Sequence, residues 1–172
     1  MSSKCYAVVG IDRETGTKKV YFKAQPNNQN ALFRLVERHQ GNRHTLRILC
    51  GGAIGGGKTK VEVGFALWFS QQYPGARIGI GRKDFNDLRD TVYDDFVKMC
   101  PPGWIKLPQK GLKDRLEASH RVVLHNTTEI IFLELKDVEG KLGLEFDLLV
   151  IDQVEEIEEK TYATMEGRLR SS

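Results

Sequence analysis

The chain has 172 residues, 40% of them hydrophobic and 28% charged, and its 26 basic and 23 acidic residues leave a formal net charge of +3. This composition is typical of one globular domain with a sizeable core, and the nearly balanced charge neither excludes nor establishes a nucleic-acid partner. No apolar run is long enough to cross a membrane, and no apolar signal core follows the first residues. Three cysteines and four histidines are scattered without metal-ligand spacing, which argues against a disulfide framework or a zinc site.

The first predicted elements are a β-hairpin and a helix. Apolar residues at 6–9 and 20–22 flank a polar turn at Gly16, which predicts a hairpin over residues 5–24. After Pro26, apolar residues recur at helical spacing and predict a first helix. These residues are Ala31, Leu32, Leu35 and Val36, followed by His39, and Gly41 and Asn42 are predicted to end the helix.

The most informative motif follows a predicted short, buried strand at residues 46–50. Residues 52–59 fit the pattern G-x-x-x-x-G-K-[ST], in which glycines allow backbone N–H groups to close around a polyphosphate. The Lys58 side chain would reach the β- and γ-phosphates, and the Thr59 hydroxyl would ligate Mg²⁺. The motif therefore predicts a phosphate-binding loop for ATP, formed by Gly52, Ala53, Ile54, Gly55, Gly56, Gly57, Lys58 and Thr59.

Helices and strands alternate after this motif. Apolar spacing predicts a helix directly behind the loop and another between Asp84 and Pro101. A strand is predicted at residues 76–80, and a hairpin at residues 122–124 and 130–133. The apolar positions of the two helices are Val61, Phe65, Trp68 and Phe69 in the first and Phe85, Leu88, Val92 and Phe96 in the second. The alternation predicts an α/β fold with a mostly parallel β-sheet flanked by helices, as in a P-loop NTPase.

A second part of the site is predicted near the end of the chain. Residues 148–151 are a continuous apolar run, typical of a strand buried on both faces, and Asp152 ends the run. A P-loop enzyme needs an acidic residue at the end of a neighbouring strand to hold Mg²⁺ through its water shell, and we assign this role to Asp152. Behind it, apolar residues at steps of four predict a last helix. They are Ile157, Thr161, Met165 and Leu169.

The sequence leaves open which residue acts on the attacking water. Many ATPases have a glutamate directly after the aspartate, where this chain has Gln153, which can hold a water molecule but cannot act as a strong base. Glu155 and Glu156 follow and could turn toward the γ-phosphate, or they could simply favour a helix N-terminus. Upstream, Gln29 could pair with adenine through its amide, or it could be a solvated residue in the first turn of a helix.

Several segments of the chain resemble one protein family in their residues, their order and their spacing. They are residues 26–29 before the first helix, the loop at 51–59, residues 81–85 and 88–90 after the second strand, residues 126–132 and 141–147, and residues 152–157 and 167–170. Together they resemble the N-terminal ATPase domain of the tailed-bacteriophage terminase large subunit, the motor that packages DNA into procapsids. The resemblance covers about residues 20–170.

This resemblance implies an ATPase motor domain that binds and hydrolyses ATP with Mg²⁺ to drive viral DNA packaging in the host cytoplasm. It implies a RecA/ASCE-like three-layer sandwich as the fold. The implied partners are double-stranded DNA, the portal protein, the terminase small subunit and, in a full-length protein, further copies arranged in a ring. It assigns adenine recognition to Gln29, and it makes Arg82 a candidate for stabilising transition-state charge. Further arginine and lysine candidates for that role are Lys141, Arg168 and Arg170.

The sequence departs from the family at three points. Gln153 stands where the family often has glutamate, the phosphate-binding loop lacks the arginine that many members carry, and the chain ends shortly after Asp152. We therefore expect an N-terminal hairpin extension (residues 1–25) and a partial ATPase domain (residues 26–172), incomplete at its C-terminus and without nuclease activity. Alternatives are another P-loop ATPase, such as a helicase or recombinase core, and a nucleotide-binding module with little hydrolysis.

Overall fold

Helices and strands alternate along the chain in the computed structural model, which describes residues 6–12, 14–26, 28–39, 45–48, 57–105, 118–136, 138 and 143–170. The strands are β1 (Ala7–Ile11), β2 (Lys18–Lys23), β3 (Arg77–Arg82), β4 (Arg121–Val123), β5 (Glu129–Glu134) and β6 (Leu148–Ile151). The helices are α1 (Asn28–His39), α2 (Lys58–Gln72), α3 (Phe85–Asp87), α4 (Asp94–Met99) and α5 (Glu159–Glu166). A π-helical segment, Leu88–Tyr93, joins α3 to α4, and a 3₁₀ turn, Val154–Glu156, precedes α5.

The central sheet has four strands in the order β4-β5-β3-β6. β3 runs parallel to both β5 and β6, whereas β4 and β5 form the predicted antiparallel hairpin. The mostly parallel sheet is therefore confirmed. Its register pairs Gly81 of β3 with Ile151 of β6, so the carboxyl ends of these two strands meet at one edge of the sheet. The predicted N-terminal hairpin is also present, as a separate two-stranded sheet of β1 and β2.

The hairpin and the first two helices share one aromatic core. The ring of Phe33 in α1 is fully buried and lies 5.0 Å from the ring of Tyr6, measured between centroids. The rings of Phe65 and Trp68 in α2 lie at 5.2 and 5.1 Å from it. The apolar stripe predicted for α1 is correct in part: Leu32 and Val36 pack against this core, but the stripe omits Phe33 and includes Leu35, which is 45% exposed. The large aromatic side chain takes the inward position because it removes more apolar area from water than leucine does.

The helix behind the motif is confirmed, and protein surrounds it on most sides. Gly64 lets α2 approach β2 closely, because a Cβ at this position would lie 2.6 Å from ring atoms of Phe22. Such coverage explains why apolar residues occur all along this helix rather than in one narrow stripe. Its buried residues are Val61, Val63, Gly64, Phe65, Ala66, Leu67, Trp68 and Ser70.

Two strand predictions need correction. Residues 45–48 form no strand, so the strand predicted at 46–50 is wrong over its first three residues, and Leu49 and Cys50 lie outside the described part of the chain. β6 is half-buried along its length rather than fully buried. Both of its faces do contact apolar clusters, but within the described residues β6 pairs with β3 on one side only, so its backbone and side chains keep some exposure.

The two remaining helix predictions are confirmed in position but not in detail. The helix predicted between Asp84 and Pro101 is present, with a wide π turn in its middle. The last helix is shorter than predicted, and Ile157 and Leu169 lie outside it. Leu169 instead forms a β-bridge with Phe146, which takes its backbone out of the helix. Among the helices of the described ranges, none has the length and apolarity of a membrane span.

Candidate functional site

The site lies at the edge of the sheet where β3 and β6 end. Arg82 is the last residue of β3, and Asp152 directly follows β6. The backbone N–H of Asp152 donates to the carbonyl of Gly81 at 2.9 Å, which extends the strand pairing by one residue. The Asp152 side chain is 4% exposed, and its Oδ2 lies 3.2 Å from Nη1 of Arg82. A parallel sheet thus brings a buried carboxylate and a guanidinium together from positions 70 residues apart.

Arg82 contacts residues of two different elements. On the side of β6 it binds Asp152 and donates from Nη2 to the side-chain oxygen of Gln153. On the side of the following helical segment, its Nη1 donates to the Thr91 hydroxyl at 3.2 Å, and its Nη2 lies 3.7 Å from a carboxylate oxygen of Asp87. The side chain is only 12% exposed, so water screens these contacts weakly.

Gln153 is held in an unusual backbone conformation. Its φ is +52°, in the left-handed region of backbone conformation that residues other than glycine rarely adopt. Residues held in this way cluster at functional sites, where the surrounding structure offsets the cost of the conformation. Because Arg82 donates to the side-chain oxygen of Gln153, the NH₂ group is the part of this amide whose hydrogen atoms can serve another acceptor.

The N-terminal part of α2 contributes to the same region through Glu62, which interacts with Asp152. Gly57 precedes the helix at φ +70°, a conformation that favours glycine, although a Cβ there would meet nothing within 4 Å. Lys58 and Thr59, in the first turn, are half-buried. A helix N-terminus presents backbone N–H groups and a positive dipole end, which suit an anion. The other residues of the predicted loop lie outside the described part of the chain: Gly52, Ala53, Ile54, Gly55 and Gly56.

Glu62 is a site residue that the sequence analysis missed. It lies one turn after Lys58 on α2 and interacts with Asp152, Lys58 and Arg82. Burial is the main reason that the pKa of Glu62 rises to about 8, and the negative charge of Asp152 raises it further, while Lys58 and Arg82 oppose the rise. Its Oε2 atom is buried and has no hydrogen-bond partner among the described residues. The spacing of four residues from Lys58 is the signal that could have identified it.

The pKa of Glu62 predicts a pH-dependent stability. A folded-state pKa of about 8, against an ordinary value of 4.5, means that the folded chain binds this proton more tightly than the unfolded chain. The stabilisation is therefore complete below about pH 4.5 and is lost as the pH rises through 8. We expect the free energy of unfolding of the wild type to fall between pH 5 and 9 by roughly 2–4 kcal/mol more than that of Glu62→Gln.

Urea denaturation at a series of pH values, with a chelator present, measures this difference. Glu155→Gln is the matched control, because Glu155 is an exposed carboxylate near the same site, and its pH profile should follow the wild type. Parallel profiles for the wild type and Glu62→Gln would contradict the assignment of a buried, proton-binding Glu62.

Three other predicted residues do not join this cluster through the hydrogen bonds or ion pairs of the described residues. Gln29 lies at the start of α1, where its Oε1 accepts a hydrogen bond from the backbone N–H of Gln25 at 2.7 Å. This bond uses part of the acceptor capacity that adenine recognition would need. Glu155 and Glu156 are exposed on the 3₁₀ turn that follows Gln153. The choice of a group that activates water therefore stays a prediction for both glutamates.

The candidate cations near the C-terminus lie at the opposite end of β6. Nη1 of Arg170 lies 3.4 Å from both carboxylate oxygens of Asp147, which precedes β6, and its Nε lies 3.6 Å from Glu145. The backbone carbonyl of Arg168 accepts from Phe146 next to this pair. Asp152 follows the strand at its other end. Within one subunit, this placement therefore favours Arg82 over Arg168 and Arg170 for the charge-stabilising role that the resemblance implies. Lys141 lies outside the described part of the chain.

The side-chain oxygens at this site suit a divalent ion that also binds oxygen atoms of a second molecule. Among the described residues, no group of three or more histidine, cysteine, aspartate or glutamate side chains forms a self-sufficient metal site. Mg²⁺ is commonly bound through one or two carboxylates together with the phosphates of a nucleotide and water. Asp152 supplies a buried carboxylate of this kind. The arrangement therefore suits Mg²⁺ delivered with a polyphosphate.

The fold resembles that of a solved phage protein. The large terminase from a thermophilic bacteriophage matches this chain with a TM-score of 0.58 and 17% sequence identity over 84% of the chain. The chain spans 36% of the length of that terminase. No protein-family model matches the chain, and no curated protein matches its sequence. The chain therefore has a terminase-like α/β fold, with a mostly parallel four-stranded sheet flanked by helices.

Proposed function

We propose that this chain binds ATP with Mg²⁺ and hydrolyses it, as the ATPase domain of a DNA-packaging motor of the large-terminase type. One observation carries the proposal: Glu62 of α2, the helix behind the glycine-rich motif, interacts with the buried Asp152 at the end of β6. Glu62 also interacts with Lys58 of the same helix. The motif and these interactions together support one location for a triphosphate.

Different residues would bind the phosphates and the metal. Lys58 and the backbone N–H groups at the start of α2 would bind the phosphates, and Thr59 and Asp152 would hold the metal, Asp152 through its water shell. Mg²⁺ supplies charge neutralisation on the phosphate oxygens. The half-buried position of Lys58 strengthens its attraction to an anion, because water screens it less than a fully exposed side chain.

Hydrolysis also needs a group that orients the attacking water. Gln153 is next to Asp152 and has a fixed orientation, since Arg82 binds its oxygen. In this arrangement its NH₂ group can donate to a water molecule, but a donor cannot take up the proton of that water. We therefore propose Gln153 as a group that positions water, and Glu155 or Glu156 as candidates for the base.

The motor role and its partners are proposed from the terminase-like fold. Double-stranded DNA, a portal protein, a terminase small subunit and a ring of subunits would follow from this role. A nucleotide-binding module with little hydrolysis is the second candidate. The engagement of Gln153 by Arg82 favours it, because this contact occupies the amide oxygen that could otherwise accept a hydrogen bond from the attacking water.

A single-turnover experiment tests the proposal and separates the two candidates. The chain is mixed in excess with γ-³²P-labelled ATP and Mg²⁺, and bound nucleotide and released phosphate are measured in parallel, with chelator replacing Mg²⁺ as the control. We expect Mg²⁺-dependent binding, with a dissociation constant in the range of about 1 μM–1 mM, followed by phosphate release. Binding without release would favour the binding module, and no binding at all would contradict both.

A further inference from the structure

The segment that follows Arg82 contains a wide turn. Leu88–Tyr93 is π-helical, and such turns are rare and occur frequently at functional sites. Its inward side is fixed in the core, because Leu88, Val92 and Tyr93 are fully buried. Its outward side carries Thr91, which is exposed.

Thr91 connects this turn to Arg82. Its hydroxyl donates to the backbone carbonyl of Asp87 at 2.7 Å and accepts from Nη1 of Arg82 at 3.2 Å. The same Nη1 contacts Asp152, and Nη2 contacts both Gln153 and Asp87. Since a guanidinium is a rigid planar fork, groups that bind one of its edges fix the orientation of the other.

We propose that Arg82 is a positioning residue that links the turn after β6, with Asp152 and Gln153, to the π-helical segment through Thr91. The link keeps the amide of Gln153 and the carboxylate of Asp152 in place relative to the core. Without it, the left-handed backbone of Gln153 loses the contact that offsets its strain. The structural link stands by itself, whereas its catalytic consequence rests on the proposed function.

Hydrogen exchange on the full chain without nucleotide tests the link. The reporters are the backbone N–H groups of Asp152, Glu156 and Ile157, which donate to Gly81, Gln153 and Val154. In Arg82→Gln we expect these groups to exchange about tenfold faster, because charge-assisted hydrogen bonds that oppose local opening are lost. In Thr91→Val, which removes only the hydroxyl from an exposed side chain, we expect a roughly threefold increase, and Thr91→Ser should restore the wild-type rate.

Arg77→Gln is the matched control. Arg77 lies at the other end of β3 and pairs with Glu129 at 2.9 Å, so its loss should leave the reporters unchanged. Unchanged exchange in Arg82→Gln, or an equal increase in Arg77→Gln, would overturn the proposal.

A kinetic measurement tests whether the link between Arg82 and Thr91 affects catalysis. If the wild type hydrolyses ATP, Thr91→Val should lower kcat roughly threefold at constant KM, with recovery in Thr91→Ser. A changed KM with constant kcat would contradict a positioning role. If the wild type does not hydrolyse ATP, the proposed function fails, and the exchange rates still decide whether the link exists.

Discussion

Replacement of Lys58 by alanine is expected to weaken the binding of Mg²⁺–ATP about 100-fold. The reason is the loss of a charge-assisted contact between a half-buried ammonium group and phosphate oxygens, which water screens only partly. The folded state should tolerate the change, because alanine is a good helix residue at the start of α2. Isothermal titration calorimetry with a non-hydrolysable ATP analogue measures the effect directly.

Lys60→Ala is the matched control for this experiment. Lys60 carries the same charge two residues further along the first turn of α2, but it is exposed. Its replacement should change the affinity less than about threefold, as expected for a screened surface charge. Equal affinities of the wild type and Lys58→Ala would remove the assignment of the phosphate site to this helix.

The second large effect is expected for Asp152→Asn. Loss of the carboxylate should raise the Mg²⁺ concentration needed for half-maximal hydrolysis about 100-fold, because a neutral amide binds the water shell of the ion more weakly than a carboxylate does. The substitution also removes the negative charge beside Glu62, so the pKa of Glu62 should move back toward its ordinary value. A shallower pH dependence of unfolding would report this second effect without any nucleotide.

Asp147→Asn provides the comparison for Asp152→Asn. Asp147 directly precedes β6 and is bound by Arg170, whereas Asp152 directly follows β6 and is bound by Arg82. Both variants lose an aspartate at an end of the same strand, but only one lies at the proposed site. A Mg²⁺ titration of phosphate release should therefore distinguish them, and identical requirements in both variants would exclude a metal role for Asp152.

The sequence predicts the elements of this fold well where a run of apolar residues is bounded by turn or loop residues. Strands β3, β5 and β6 and the helix behind the motif appear where the patterns place them. The error at α1 concerns two residues and has a physical cause: the pattern places Leu35 inward and omits Phe33, whose ring is the buried one. Its position depends on rings contributed by the hairpin and by α2, which no local pattern contains.

The site was predictable only in part, for a similar reason. Lys58 and Asp152 belong to motifs, and each can be recognised from residues next to it. Glu62 looks like an ordinary helix residue, and its raised pKa comes from burial and from a carboxylate 90 positions further along the chain. The contact of Arg82 with Gln153 spans 71 positions and depends on the pairing of β3 with β6. Strand order is a property of the whole sheet, so it cannot be obtained from spacing.

A crystal structure of the chain with Mg²⁺ and a non-hydrolysable ATP analogue tests the central claim most directly, namely that α2 and the end of β6 hold one metal–triphosphate. We predict the β- and γ-phosphates at Lys58 and the N-terminus of α2, with the metal between the Thr59 hydroxyl and the Asp152 carboxylate. A nucleotide bound elsewhere, or a metal remote from both residues, would contradict the account.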